Sequence, residues 1–236
     1  MLTKRNQSKL AKGLIVGVIL IAIWAVMGAF WPVGSDYYYT FRPAAEAFLK
    51  GETRLYSDPG FGFYGAPWAL LVIFPTLLMP LSYGQAVLTM LVLVGLVFSV
   101  MAVPEEKERL SPLVLVVTFA NLHTFDAIVR GNLDGLPLIG LGLSWLGVRL
   151  RRPLWLGFGL WFIACKPINL VLVVLYMLWH IRHWRLSEKL QVVIPLAVTV
   201  LVTSCLIGWD WPLRYVTYSQ HRPPQVGLQT SLWRTF

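Results

Sequence analysis

The chain is predicted to be an all-α, polytopic integral membrane protein with about seven crossings and short juxtamembrane helices on its outer face. Hydrophobic residues make up 57% of the 236 residues, charged residues make up 13%, and the mean hydropathy is +0.65. A soluble core could not bury so much apolar surface. Several apolar runs also approach the length of about 20 residues that a helix needs to cross a bilayer. We therefore expect a single transmembrane domain over residues 1–236.

Five apolar runs are predicted to cross the membrane as single helices. The first contains 19 residues and lacks a small-residue cleavage site before Trp31 and Pro32, so we expect it to remain as an anchor. The five runs are Gly13 to Trp31, Gly84 to Val103, Pro112 to Ile128, Leu133 to Val148 and Leu190 to Gly208.

Two further runs are interrupted. Leu154 to Trp179 contains 26 residues, with Lys166 and Pro167 near its middle and basic clusters at both ends. A helical hairpin would keep both clusters inside and place Lys166 at a hydrated outer turn. Pro67 to Leu81 contains internal prolines and is predicted to be an interfacial or re-entrant helix on the outer side.

The basic residues predict the orientation. The net charge is +9, but Lys and Arg occur in short clusters between apolar runs, a pattern that sets membrane orientation and does not indicate nucleic-acid binding. This predicts a multi-pass plasma-membrane protein with a cytoplasmic N-terminus, an outer loop over 32–83 and an outer C-terminal segment over 209–236. The inside positions are Lys4, Arg5, Lys9, Lys12, Lys107, Arg109, Arg149, Arg151, Arg152, Arg182, Arg185 and Lys189.

This topology gathers the unusual polar residues at the outer face, where buried ionisable groups indicate a functional site. Simpler interpretations remain open for several of them. Arg130 follows Asp126 by four residues and could form a helix-end ion pair, Lys166 could extend toward headgroups, and His221 could be a surface histidine. The outer set comprises Asp36, Arg130, Asn132, Asp134, Lys166, Asp210, His221 and Arg222.

Asp36 is the predicted catalytic base, because it follows the first span closely and precedes a short amphipathic helix that begins near Pro43 and stops at Gly51. Within that helix, Glu46 is expected to pair with Lys50. Asp58 is the rival carboxylate in the same loop. The tyrosines at 37–39 would also fit an aromatic belt at the membrane interface.

No metal site or cofactor is predicted. Cys165 and Cys205 lie in apolar segments without metal-ligand spacing, so they are expected to be core thiols, with neither a disulfide nor a zinc ion. The sequence also contains no cluster of carboxylates or histidines that would suggest a catalytic metal.

Five segments, in order, resemble the polyprenol-phosphate-sugar-dependent GT-C glycosyltransferases, in particular glycosyltransferase family 87 and its alpha-mannosyltransferases. The resemblance covers roughly residues 14–236, although members of that family usually continue through several more spans. The segments are SDYYY with AAEAFLKGETRLY, FYGAPWALLVIFPTLLMPLSYGQA, RGNLDGLPLIGLGLSWLGVRLRRP, GFGLWFIACKPINLVLVVLYMLWHIRHWR and LQTSLWRTF.

The resemblance implies a GT-C-like fold and a function. The chain, or the half of an enzyme that it represents, would transfer a sugar, mannose by the resemblance, from a polyprenyl-phosphate donor in the membrane lipid to an acceptor at the outer face. Asp36 would be the base, Arg130 or Lys166 would hold the phosphate, and Asn132 would bind sugar hydroxyls. The remaining candidates are Tyr38, Tyr56 and Tyr64 for framing the sugar or acceptor, and His221 and Arg222 for phosphate contact.

Two departures from the family pattern keep other functions open. The chain has Gly65, Ala66 and Pro67 where a Pro Pro pair is common, and Arg130 and Gly131 where a Gly Gln pair often precedes the asparagine. A noncatalytic GT-C-derived subunit, bound to a second membrane protein that supplies missing helices, is the alternative. A transporter ranks last because its charges should lie deep within the spans.

Overall fold

The computed structural model describes residues 4–53, 55–56, 62–102, 112–166 and 170–220. Within these ranges the chain is all-helical, without a strand, as predicted. A π-helix (Tyr37–Phe41) leads directly into α2, and two 3-10 helices (Pro67–Ala69 and Phe74–Leu78) flank α3. The α-helices are α1 (Lys4–Phe30), α2 (Arg42–Leu49), α3 (Leu70–Ile73), α4 (Leu81–Ala102), α5 (Pro112–Phe119), α6 (Leu122–Arg130), α7 (Gly135–Arg149), α8 (Pro153–Ile163), α9 (Leu170–His180), α10 (Leu186–Ile207) and α11 (Trp211–Gln220).

Three helices in the described part of the chain are long and apolar enough to cross a membrane. They comprise Ala11–Phe30 in α1, with 20 residues, and the 22-residue helices α4 and α10. At about 1.5 Å per residue, such lengths match a hydrocarbon core of about 30 Å. Helices α7, α8 and α9 are apolar but shorter, with 15, 11 and 11 residues. The structure therefore supports an integral membrane protein.

Small residues bring the helices of the bundle into close contact. Gly142 of α7 packs against Phe98 and Ser99 of α4, while Gly140 of α7 packs against Gly159 of α8. Gly157 of α8 similarly packs against the backbone of α10. In a membrane, where helix association depends on close packing, glycines at such contacts let backbones approach. They fix α4 and α7 as parallel neighbours, with α8 antiparallel to α7.

This packing gives the bundle two chemically different ends. We call the end that contains Asp36, Gly131, Asp134 and Lys166 the site end. At the opposite end, called here the basic end, Arg149 donates a hydrogen bond to the last residue of α4 at 3.4 Å. Also at the basic end, Arg151 forms a two-pronged ion pair with Glu188, at 2.9 and 3.1 Å. The basic turns between α7 and α8 and between α9 and α10 therefore lie away from Asp36, as their predicted inside location requires.

The predicted interruptions are present in the helices. The run from Leu154 to Trp179 divides into α8, which ends at Ile163, and α9, which begins at Leu170. The run from Pro67 forms a series of short helices that ends at Leu78. Helix α2 contains Pro43 in its first turn and stops before Gly51, whose φ is +88°.

Two sequence expectations about helices are wrong, as is the expectation that Cys205 is a core thiol, because Cys205 is exposed on α10. The run from Pro112 to Ile128 is two helices, because the side chain of Asn121 caps α6 by accepting a hydrogen bond from the amide of Thr124 at 2.9 Å. Neither α5 nor α6 alone is long enough to cross a bilayer. In α2, Glu46 pairs with Arg42 at 2.9 Å and not with Lys50, because Arg42 lies one turn earlier in the helix whereas α2 ends at Leu49 and Lys50 is not helical.

Candidate functional site

A polar cavity of about 180 Å³ lies at the site end and brings together five of the predicted site residues. Asp36 reaches it from the segment after α1, Arg130 and Asn132 from the end of α6, and Lys166 from the turn after α8. The full lining is Asp36, Thr40, Phe41, Gly62, Tyr64, Gly65, Asp126, Arg130, Asn132, Leu133 and Lys166. Residues distant in the sequence therefore share one cavity.

Close backbone contact holds Asp36 next to the end of α6. A Cβ atom on Gly34 would lie only 2.3 to 2.4 Å from backbone atoms of Val129 and Arg130. Gly131 ends α6 in a left-handed conformation, with a φ of +66°, which glycine adopts without strain. The two segments can approach each other this closely only because residue 34 has no side chain.

Gln85 of α4 secures the same junction. This buried side chain accepts a hydrogen bond from the amide of Gly34 and donates to the carbonyls of Pro32 at 3.1 Å and Val129 at 3.4 Å. Beside it, the hydroxyl of Tyr37 donates to Thr76 at 2.9 Å, which fixes the start of the π-helix. A buried polar group is retained only where its hydrogen bonds are made, and here those bonds orient the segment that carries Asp36.

The cations of the site are already engaged by carboxylates. Arg130 forms an ion pair with Asp126 at 2.6 Å, as the simpler interpretation of its sequence spacing predicted. Lys166 forms an ion pair with Asp134, at the start of α7. With Asp36, the cluster contains three acidic and two basic side chains. An anionic ligand must therefore share these cations with the protein's own carboxylates.

Asp36 has the electrostatic character of a base. Burial raises the pKa of Asp36 above its ordinary value, while the nearby Arg130 and Lys166 side chains and a hydrogen bond from Ser35 oppose that shift. The hydroxyl of Ser35 donates this hydrogen bond to Asp36 at 3.3 Å. A carboxylate whose pKa is raised accepts a proton more readily, which is the property required of a general base.

Asn132 lines the cavity, but its Oδ1 is covered by neighbouring atoms and has no hydrogen-bond partner among the described residues. Leaving a buried acceptor unsatisfied costs about 1 to 3 kcal/mol. The predicted contact of this oxygen with sugar hydroxyls therefore requires the side chain to turn toward the cavity.

Tyr38 and Tyr56 do not line the polar cavity. Tyr38 is 48% exposed and packs edge-to-face on Tyr39, which fits the interfacial belt considered for these tyrosines. Tyr56 is buried among aromatic rings, and its hydroxyl donates to the carbonyl of Gly65 at 2.7 Å. Burial raises the pKa of Tyr56 well above its usual value, so the hydroxyl remains a neutral donor that supports the cavity wall. His221 and Arg222 lie outside the described residues.

A second, mainly apolar cavity of about 250 Å³ is linked to the first by an ion pair. Asp134 lines it, while the Lys166 that pairs with Asp134 lines the polar cavity. The remaining lining comes from α4, α6, α7, α8 and α9, with Val92, Leu96, Leu141 and Val173 among the apolar residues. One ion pair therefore joins the lining of the polar cavity to the lining of the apolar one.

The supporting residues were not identified from the sequence. Gly34 lies in no motif, and Gln85 lies in a segment of the family resemblance but has no predicted role there. The contact between them and α6 joins segments far apart in the chain. Asp134 was recognised as an outer acid, but its pairing with Lys166 was not expected. Within the described ranges, no group of three His, Cys, Asp or Glu side chains is arranged to hold a metal ion.

No protein-family model, curated protein or solved structure matches this chain.

Proposed function

We propose that the protein is a membrane glycosyltransferase, or half of one, that transfers a sugar from a polyprenyl-phosphate donor to an acceptor at the outer membrane face. The observation that carries this proposal is the polar cavity, in which Asp36, Asn132 and two cations meet beside an apolar cavity. In this proposal the chain has a GT-C-like fold with about seven crossings, counting α5 with α6 as one and the short helices α7, α8 and α9 as one each. It lies in the plasma membrane with its N-terminus in the cytoplasm, and mannose is the sugar that we propose.

The charge distribution supports the proposed orientation. Basic turns cluster at the basic end, and short loops rich in Lys and Arg remain on the cytoplasmic side. The polar cavity then faces outward, where a lipid-linked sugar presents its phosphate and its sugar at the interface. The second, apolar cavity would accept the first isoprene units, and the remainder of the chain would stay in the membrane lipid.

The proposed reaction is an inverting displacement. The acceptor hydroxyl oxygen attacks the anomeric carbon and forms the new glycosidic bond, while the bond from that carbon to the phosphate oxygen breaks. The electron pair leaves with the polyprenyl phosphate, and Asp36 takes the proton of the acceptor hydroxyl. Arg130 and Lys166 stabilise the negative charge of the departing phosphate, and Asn132 orients the sugar.

The polar cavity is small. Its volume of about 180 Å³ lies below the range of about 300 to 1,000 Å³ typical of sites for drug-sized ligands. It suits a compact group, such as one sugar ring with its phosphate, rather than an extended oligosaccharide. We therefore propose that the acceptor approaches from the open outer side and contributes little buried surface of its own.

Replacing Asp36 tests the proposal. In reconstituted liposomes supplied with polyprenyl-phosphate mannose, Asp36→Asn should lower the transfer rate by about 10² to 10⁴-fold, the contribution typical of a general base. The variant should remain folded, because burial already disfavours the charged form of Asp36. Asp210→Asn is the matched control, since Asp210 pairs with Arg214 at 3.0 Å and does not line the cavity. Full activity of Asp36→Asn would refute the assignment.

One observation favours the alternative, a noncatalytic GT-C-derived subunit of a larger complex. Most of α1 is exposed, and a Cβ atom on Gly13 or Gly17 would meet no atom within 4 Å. Glycines four residues apart let a second membrane helix pack closely. Under this alternative, a partner protein copurifies in stoichiometric amounts, and complex formation is unaffected by Asp36→Asn but weakened by Gly17→Leu.

A further inference from the structure

The loop of residues 62–66, called here the wall loop, forms one side of the polar cavity. Gly62, Tyr64 and Gly65 all line the cavity, whereas Phe63 points away and is fully buried. The φ of Gly62 is +66°, a left-handed conformation that glycine adopts without strain. No regular secondary structure stabilises this loop, so its shape depends on contacts made by other elements.

Tyrosine hydroxyls supply several of those contacts. The hydroxyl of Tyr218 in α11 accepts a hydrogen bond from the amide of Gly62 at 3.1 Å. The hydroxyl of Tyr215, one turn earlier, donates to the carbonyl of Tyr64 at 3.3 Å. Tyr56 donates to the carbonyl of Gly65 at 2.7 Å. These backbone groups of the loop have no hydrogen-bond partner within a helix, so the tyrosine hydroxyls supply their partners.

The ring of Tyr218 also supports the ring of Tyr64. The two rings stack with centroids 5.2 Å apart and an interplanar angle of 23°. Tyr218 is only 8% exposed and does not line the cavity, whereas Tyr64 does. Tyr218 therefore fixes both the backbone at the start of the wall loop and the aromatic face that the loop presents to the cavity.

The far end of the wall loop is fixed to the turn that carries Lys166. The amide of Ala66 donates to the carbonyl of Cys165 at 2.9 Å. Any displacement of the loop would consequently alter the position of Tyr64 relative to Lys166. Helix α11 belongs to the outer C-terminal segment and contributes no residue to the lining, yet it is coupled to the cavity through the loop.

We propose that Tyr218 is a positioning residue, which holds the wall loop and the Tyr64 ring in place as a binding surface for the ligand of the polar cavity. This inference rests on the proposed function for the identity of the ligand, a prenyl phosphate carrying a sugar. A stacked aromatic face suits the apolar face of a sugar ring, and rigid placement of that face lowers the cost of ordering it on binding.

The test compares Tyr218→Phe, which keeps the ring and removes the hydroxyl, with Tyr218→Leu, which removes both. Tyr176→Phe is the matched control, because Tyr176 lies on α9 near the basic end and is half exposed. The first measurement is hydrogen exchange of the peptide that covers the wall loop, which needs no ligand. Loss of one hydrogen bond should speed exchange of the Gly62 amide by about three- to tenfold in Tyr218→Phe, with no change in Tyr176→Phe.

The second measurement is the affinity for farnesyl phosphate mannose, which carries the sugar ring that Tyr64 would contact, determined by calorimetry in detergent together with transfer kinetics in liposomes. Tyr218→Phe should weaken binding and raise KM for the donor by about three- to tenfold with kcat nearly unchanged, because the wall contacts ground state and transition state alike. Tyr218→Leu should have a larger effect on both.

The outcomes separate the two proposals. Unchanged exchange of the wall loop in Tyr218→Phe would show that Tyr218 does not hold it. Faster exchange with unchanged affinity for farnesyl phosphate mannose would overturn the role at the cavity. If the wild-type protein binds no farnesyl phosphate mannose and transfers no sugar, the proposed function fails, and the exchange comparison still decides whether Tyr218 positions the wall loop.

Discussion

Asp36 and the side chains around it carry the proposed chemistry, and their charges oppose one another. Burial favours the neutral form of Asp36, while Arg130 and Lys166 favour the carboxylate. The same two cations also neutralise Asp126 and Asp134. Because each cation serves a carboxylate of the protein, the removal of one acid should change both the titration of the site and its affinity for anions.

The raised pKa of Asp36 predicts the pH dependence of transfer. The base must be deprotonated, so activity should be full above its pKa and should fall as the pH drops through it. The acid limb of the pH–rate profile should therefore lie above the ordinary aspartate value of about 3.9. The measurement is kcat/KM in liposomes across the acidic range. An acid limb at or below that value would contradict the assignment of Asp36 as the base.

Asp126 should compete with the phosphate for Arg130. We expect Asp126→Asn to raise the affinity for farnesyl phosphate by about tenfold, equivalent to about 1.4 kcal/mol, because a negative charge is removed beside the anion. Calorimetry in detergent measures the effect, and added salt should reduce it. Asp210→Asn, at an acid that does not line the cavity, is the control. Weaker binding by Asp126→Asn would mean that Asp126 serves mainly to orient Arg130.

Among the helices, the junction between the end of α1 and the end of α6 determines the geometry of the site. The segment that begins at Gly34 lies against the last turn of α6, and Gln85 of α4 bonds to both sides. These three elements are distant in sequence but meet at one point. A change at the junction should therefore disturb Asp36 and Arg130 together, even where neither residue is altered.

Gly34→Ala should damage this junction. A Cβ atom there would lie 2.3 Å from the backbone of Arg130, so either the segment or α6 must move, at a cost of about 1 to 3 kcal/mol. We expect a lower thermal unfolding midpoint and a loss of transfer activity. Gly13→Ala, in α1, is the matched control, because a Cβ atom at residue 13 would meet nothing within 4 Å. Equal stability of the two variants would show that the contact is not needed.

Considered as a unit, the chain is a helical bundle with a polar cavity at one end and basic turns at the other. Small residues hold α4, α7, α8 and α10 in contact, and the connections between them alternate between the two ends. A bilayer around this bundle would place the cavity and the basic turns on opposite surfaces. The proposed orientation assigns the cavity to the outer surface.

Thiol labelling tests this orientation. In a Cys205→Ser background, Ser35→Cys near the cavity should react with a membrane-impermeant maleimide added outside intact cells. Arg152→Cys, in the exposed turn between α7 and α8, should react only after permeabilisation. The two labelling yields in permeabilised cells provide the control for thiol reactivity. The reverse pattern would place the cavity in the cytoplasm and exclude an exoplasmic donor.

The sequence identifies the side chains that line the cavity better than the residues that hold those side chains in place. Asp36, Arg130, Asn132 and Lys166 were selected because polar groups at span ends are costly and because their segments resemble one family. The prediction of one helix over the run from Pro112 is wrong, because Asn121 caps a new helix there and apolar content does not reveal such a cap. Tyr56 is predicted to contact the sugar or the acceptor, but it is buried and its hydroxyl bonds to the backbone of the wall loop instead.

Membrane insertion, helical structure and the separation of basic turns from outer polar residues follow from composition and from patterns that repeat along the chain. Each of these properties depends on the hydrophobicity and charge of residues that are close together in the sequence, so no long-range contact is needed to infer it. The shared cavity, the pairing of Lys166 with Asp134 and the fixing of the wall loop by α11 depend on groups that meet across the bundle. Tyr64 and Tyr215, for example, are separated by 151 positions. Such contacts arise from the three-dimensional packing of backbones, which at the end of α6 leaves no room for a Cβ atom on residue 34.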